Sequence, residues 1–174
     1  TPSDQPVCVL LFYRSHLQSA NTQVFDQFLA LLRQQGLNPL AVAVSSLKDA
    51  ESLTLVNQLV EAHNACLILN STSFASNRVQ QNQTYQNQSR AHRDILEQGV
   101  SSEPTLFDSP FERQIPVLQL ILSSSTQEDW QQYSQGLRSR DIAMQVVLPE
   151  MDGRIISRAI SFKAQSHFDD RCQF

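Results

Sequence analysis

Three continuous apolar runs of strand length, "PVCVLLFY" (6–13), "LNPLAVAVSS" (37–46) and "ACLILNSTS" (65–73), are separated by two segments of helical character. Runs without polar alternation need cover on both faces, a situation met chiefly in parallel sheets sandwiched between helices. In the first intervening segment, "QVFDQFLALLRQQG", residues Val24, Phe28, Leu31 and Leu32 fall at helical spacing and Gly36 supplies the stop. In the second, "LKDAESLTLVNQLVEAHN", Leu55, Leu59 and Ala62 form the expected stripe. Strand, helix, strand, helix, strand predicts an α/β unit with right-handed crossovers.

The rhythm breaks at "SNRVQQNQTYQNQSRAH" (76–92), whose Gln and Asn content leaves too few apolar residues to bury. Residues 76–113 are therefore expected to form an insertion loop, largely exposed and partly disordered. "IPVLQLILSS" (115–124) restores a strand, and "STQEDWQQYSQGL" predicts a helix with a hydroxyl cap and acidic first turn. "RDIAMQVVLP" (140–149) reads as a fifth strand and "GRIISRAISF" (153–162) as a sixth, joined by a tight acidic turn. The expected fold is one domain over 1–174: a flavodoxin-like, open, mainly parallel sheet flanked by helices, with a hairpin-like edge at its C-terminal end.

Composition removes several function classes. The net charge is −4 and no cluster of Lys and Arg exists, which argues against a nucleic-acid partner. No apolar run is long enough for a membrane span and no signal-peptide pattern is present, so a cytoplasmic location is expected. The three cysteines, Cys8, Cys66 and Cys172, are far apart, and two sit in strand-like runs as small core residues do. Four glycines provide no Gly-rich phosphate cradle, and neither a Gly-x-Ser-x-Gly elbow nor a His-x-x-His or Cys-x-x-Cys pair occurs. The chain begins "TPSDQPV" without Met and reads as a piece of a longer polypeptide.

Open parallel sheets gather ligands at the carboxyl ends of their strands. In this sequence those ends carry Arg14 and His16, then Asn70, then Ser124, then Glu150 and Asp152 before Gly153. Most of the hydroxyl and amide residues at such positions serve as helix caps. Glu150 and Asp152 frame a Pro-x-x-x-Gly corner, where turn chemistry and a rigidly held catalytic carboxylate both remain open.

The blocks "VLLFYRSHLQSANT", "AVAVSSLKD", "LILNSTSFA", "IPVLQLILSS" and "GLRSRDIAMQVVLPEMDGRIISRAISFK" occur in that order. Together they resemble the large subunit of the cobalt and magnesium chelatases, CobN and the H subunit of magnesium chelatase. "LPEMDGRIISRAISFK" is the most specific block, and its continuation after "DG" is similar to the cobalt branch. The resemblance implies a domain that binds a tetrapyrrole while a divalent metal, cobalt or magnesium, is inserted as substrate. No tightly bound cofactor is implied; ATP is used by separate AAA+ subunits, and the rest of the large subunit is a further partner. On the family's Pro-Glu-x-Asp-Gly block, Glu150 is the expected catalytic group and transient metal ligand, with Asp152 and Gly153 as its supporting turn. Arg14, His16, Asn70 and Ser124 are the expected substrate-binding residues. From the residues alone, a non-catalytic flavodoxin-like module for subunit docking or small-ligand binding stays open.

Overall fold

The first apolar run forms β1 (Val7–Tyr13) at the heart of a five-stranded, wholly parallel sheet of order β2-β1-β3-β4-β5. The structure is a computed structural model and describes residues 4–73 and 110–163, apart from 133 and 135. Chain order is β1, α1 (Arg14–Gln18), α2 (Gln23–Gln34), β2 (Asn38–Val44), α3 (Ala50–Ala62), β3 (Leu67–Asn70), β4 (Val117–Thr126) and α4 (Gln127–Gln132). Then come α5 (Ser139–Ile142), a π turn (Ala143–Val147), α6 (Leu148–Met151) and β5 (Ile155–Lys163). Residues 74–109 and 164–174, with most of the expected insertion loop and Cys172, lie outside the described residues.

Alternation in β1 builds two cores. Val9 and Leu11 join Ile68, Val117 and the α3 residues Val56 and Val60 on one face. Cys8, Leu10 and Phe12 join Leu69, Leu120 and the α2 residue Phe25 on the other. Phe12 and Phe25 stack with ring centroids 4.5 Å apart. Helices lie on both faces because the strand order reverses direction at β1, as right-handed crossovers require.

The fold class stands, and several local readings shift. In α2, Val24, Phe28 and Leu32 pack as expected, but Phe25 is the fully buried residue and Leu31 is exposed. In α3 the buried positions are Val56 and Val60, one residue on from the expected Leu55 and Leu59; Leu59 is half-buried, while Leu55 and Ala62 are exposed. Gly36, at φ +80°, ends α2 as expected. Thr126 caps α4, accepting from the Asp129 N–H at 3.1 Å. Of the presumed insertion, Phe111 is buried in the α3-side core, and Arg113 donates to the Asn64 side chain at 2.6 Å.

The substantive correction concerns 140–149, which is not a strand. It is part of a helical crossover, and β5 runs parallel to β4 with Leu118 opposite Ile155 and Gln119 opposite Ile156. The hairpin-like edge is therefore absent. Asp141, Gln145 and Pro149 are buried at a spacing of four residues, a helical period, whereas Val146, Val147 and Leu148 carry the β propensity that suggested a strand. A parallel neighbour also demands a crossover that a tight turn cannot provide.

Candidate functional site

Two polar assemblies sit where the sheet ends, and the first is buried. Asn70 closes β3 opposite Gln119 of β4, on the face that Ile68 and Val117 occupy. The Asn70 amide donates to Gln119 Oε1 at 2.9 Å, and its Oδ1 accepts from the Thr72 hydroxyl at 2.9 Å. Gln119 Nε2 donates to the Thr72 carbonyl at 3.0 Å. Arg154, which precedes β5, donates from Nη1 to Gln119 Oε1 at 2.9 Å and to the Thr72 carbonyl at 3.1 Å. Its Nη2 meets Asp152 Oδ2 at 2.7 Å, and both side chains are inaccessible to solvent. Burial pulls the Arg154 pKa down from its ordinary value, opposed by the Asp152 carboxylate and the hydrogen bond it accepts. This network ties together β3, β4 and the entry to β5.

That assembly explains most of the Pro-Glu-x-Asp-Gly corner. Pro149 is buried in the first turn of α6, and its missing N–H leaves the preceding helix free to widen into the π turn. Asp152 ends α6 and holds Arg154. Gly153 turns the chain at φ +70°, a conformation open to glycine. Glu150 is exposed, like its neighbour Met151, and its carboxylate has no hydrogen-bond or ion-pair partner among the described residues.

The second assembly is an open cleft of about 300 Å³ at the carboxyl edge. It reaches from the segments after β1 and β3, where the strand order reverses and α/β sheets characteristically bind ligands, across the ends of β4 and β5. His16, Ser73, Ser124, Arg140, Asp141 and Lys163 bring its polar groups, and Val24, Leu122, Met144 and Phe162 its apolar surface. Asp141 Oδ2 accepts from both the N–H of Ser124 at 2.8 Å and its hydroxyl at 2.9 Å. Gln145 brackets the Leu122 backbone, accepting from its N–H at 2.6 Å and donating to its carbonyl. The crossover helix thus replaces a neighbouring strand where β4 outruns β3.

His16 packs edge-on against Phe25, with centroids 4.9 Å apart. Burial lowers its pKa from the ordinary 6.5, and a hydrogen bond with the Asn21 backbone works the other way. The folded chain therefore favours the neutral ring, whereas the unfolded chain takes up a proton near 6.5. The resulting stability is present above that pH and lost as pH falls from it through the lower value of the folded chain. Lowering pH from about 7.5 to about 5.5 should accordingly shrink the melting-temperature advantage of the parent chain over His16→Gln. An advantage unchanged over that range would show a ring that titrates as in the unfolded chain.

The structure separates the residues expected to act together. His16 and Ser124 share the cleft, whereas Asn70 is buried and consumed by the network. Arg14 is exposed on α1 and does not line the cleft. Glu150 follows the cleft residue Gln145 by five positions, about 7 Å along a helical axis, towards the amino end of β5. Sequence reasoning missed Gln119, Arg140, Asp141, Gln145, Arg154 and Lys163. A lone Gln inside "PVLQLIL" was a visible signal for Gln119, because an uncompensated amide there would be costly. Among the described residues no group of three or more His, Cys, Asp or Glu is placed to hold a metal ion, and no helix is long and apolar enough to cross a membrane.

An open parallel sheet with a switch-point cleft and a pinned Pro-Glu-x-Asp-Gly corner defines a flavodoxin-like α/β domain. The family model described as CobN/Magnesium Chelatase matches residues 1–173, and the chain belongs to that family. It is 41% identical over 169 residues to the aerobic cobaltochelatase subunit CobN of Pseudomonas aeruginosa, covering 97% of this chain and 12% of that protein. The CobN subunit from a Sinorhizobium species is 34% identical, covering 98% and 12%. The fold is similar to that of the catalytic subunit of cobaltochelatase from Mycobacterium tuberculosis, with TM-score 0.65, 22% identity, and coverage of 96% of this chain and 13% of that one. The chain thus spans about an eighth of the length of the curated relatives.

Proposed function

We propose that this chain is a domain of a cobaltochelatase large subunit that presents Glu150 to the reaction centre during insertion of a divalent metal into a tetrapyrrole. Cobalt is the favoured substrate metal and magnesium the second, and the setting is cobalamin-type cofactor biosynthesis in the cytoplasm. The observation that carries this reading is the corner itself. Pro149, Asp152 and Gly153 each have a structural task, and together they fix the backbone of Glu150 while leaving its carboxylate outward. Insertion requires a hydrated cation to lose water and two ring nitrogens to lose protons. An unengaged carboxylate serves as an oxygen ligand or as a proton acceptor, and Asp152, occupied by Arg154, serves as neither. The deciding measurement is cobalt insertion by the assembled enzyme carrying Glu150→Gln.

Within the same reading, the cleft takes one acidic arm of the ring. Its volume is at the lower limit for small-molecule sites, so the ring itself lies outside and needs the rest of the subunit for enclosure. Arg140 and Lys163 supply positive charge and Ser124 a hydroxyl. Arg140→Ala in the full-length subunit is expected to weaken equilibrium ring binding about tenfold, the effect of losing one charge-assisted hydrogen bond. Unchanged affinity would remove the cleft from the ring site. The ATP-hydrolysing AAA+ subunits act on the large subunit from outside this domain. The 174-residue chain alone is therefore expected to insert no metal, and turnover by it would overturn the proposal.

A further inference from the structure

The crossover helix buries part of its polar side, although Arg140 and Glu150 stay exposed. Its charged and amide residues Asp141 and Gln145 are buried, yet the aliphatic residues beside them point to solvent: Ile142 is 39% exposed, Val147 47% and Met151 52%. Ile155, the first residue of β5, follows at 54%. Spacings of five and then four residues, across a π turn and then an α turn, stack Ile142, Val147 and Met151 on one side of the helix. Exposed aliphatic residues elsewhere, Leu17, Leu31 and Leu55, stand one to a helix and need no explanation. Three on this crossover and a fourth at the start of β5 make 142–155 the densest run of exposed aliphatic residues among the described residues.

The adjoining strand has the same character. β5 is an edge strand of the sheet, and none of its nine residues is fully buried. A long edge with no further strand beside it among the described residues invites pairing or packing with another surface. The stripe supplies the core of a contact, and the β5 edge supplies the additional area that a specific interface of about 800 Å² per side requires.

We propose that the surface formed by Ile142, Val147, Met151 and Ile155, with the β5 edge, is the docking face for the remainder of the same large subunit. The occupant follows from length. The CobN relatives are about eight times longer than this chain, so an apolar face on a domain of this family has most of its own polypeptide available to cover it. Contact within one chain needs no concentration and no exchange of partners, which suits an apolar rather than a charged face. Glu150, between Val147 and Met151, then sits at the margin of that interface. The proposal rests on family membership and burial, and it holds whether or not Glu150 is catalytic.

Site-resolved thiol labelling of the full-length large subunit tests it. Val147→Cys and Met151→Cys are conservative changes at exposed positions, and Gln58→Cys on the exposed side of α3 is the reference. A water-soluble maleimide, read out by mass spectrometry at each position, should modify Cys at 147 and 151 about tenfold or more slowly than at 58. Protection should be independent of protein concentration and present without the ATPase subunits. Equal labelling at the three sites would overturn the proposal. So would protection that arises only at high concentration, which indicates a second copy, or only on adding ATPase subunits, which indicates those partners.

Discussion

Replacing Glu150 with Gln is expected to slow cobalt insertion by the assembled chelatase on the order of a hundredfold or more, the usual scale for losing one proton-transferring group. Volume and hydrogen-bonding reach are kept, and only the charge is lost. Folding should be nearly unaffected, because the side chain is exposed and substitutions at such sites usually stay within about 0.5 kcal/mol. Ring binding should hold as well, since the cleft residues His16, Ser124 and Arg140 are untouched. A second pair of readings separates the two possible tasks. If Glu150 ligates the incoming cation, excess cobalt should recover part of the lost rate. If it accepts a ring proton, cobalt should not help and the acid limb of the pH–rate profile should disappear. Near-normal insertion by Glu150→Gln would return the corner to scaffold.

The corner also marks the boundary of what the sequence could disclose. The apolar runs of β1, β2 and β3 and the spacing of α2 are local signals, and they led to the correct fold class. The crossover failed as a local signal because two competing patterns overlap there. Val146, Val147 and Leu148 look like a strand, while the helical period is carried by Asp141, Gln145 and Pro149, residue types that a search for apolar periodicity passes over. A helix that buries Asp141 and Gln145 while exposing Ile142 and Val147 departs from the usual rule, and the rule has no means of announcing the departure.

The same limit governed the site. That His16 and Ser124 would fall at strand ends, where they line the cleft, was legible because those ends are predictable from the strands themselves. Asn70 was read as a ligand-facing residue because Gln119, the partner that consumes it, lies 49 positions away in sequence, and Arg154, which holds Gln119 in turn, lies 35 further on. Their juxtaposition depends on strand order, which no single segment encodes. Asp152 was assigned a supporting role from its turn. The structure shows support of a stronger kind, a buried ion pair rather than a bend.

Removing one half of that pair is the change with the largest expected effect on stability. Asp152→Ala leaves the Arg154 guanidinium in a site without solvent access and deletes its counter-charge. Breaking a buried pair from one side costs about 3–5 kcal/mol, a large share of the 5–15 kcal/mol that holds a typical domain together. For a chain of this size that corresponds to a melting temperature lower by roughly 6–20 °C. The loss reflects the stranded charge more than the worth of the bond. Arg154→Met on the Asp152→Ala background should therefore recover part of the stability. Recovery should be incomplete, because Arg154 also donates to the Thr72 carbonyl and to Gln119 Oε1, and both acceptors lose that donor. Denaturant unfolding of the parent, both single variants and the double variant gives the coupling directly. Additive losses would mean that Asp152 and Arg154 stabilise the fold independently. A double variant more stable than Asp152→Ala alone is the signature of a pair whose partners are each costly to bury without the other.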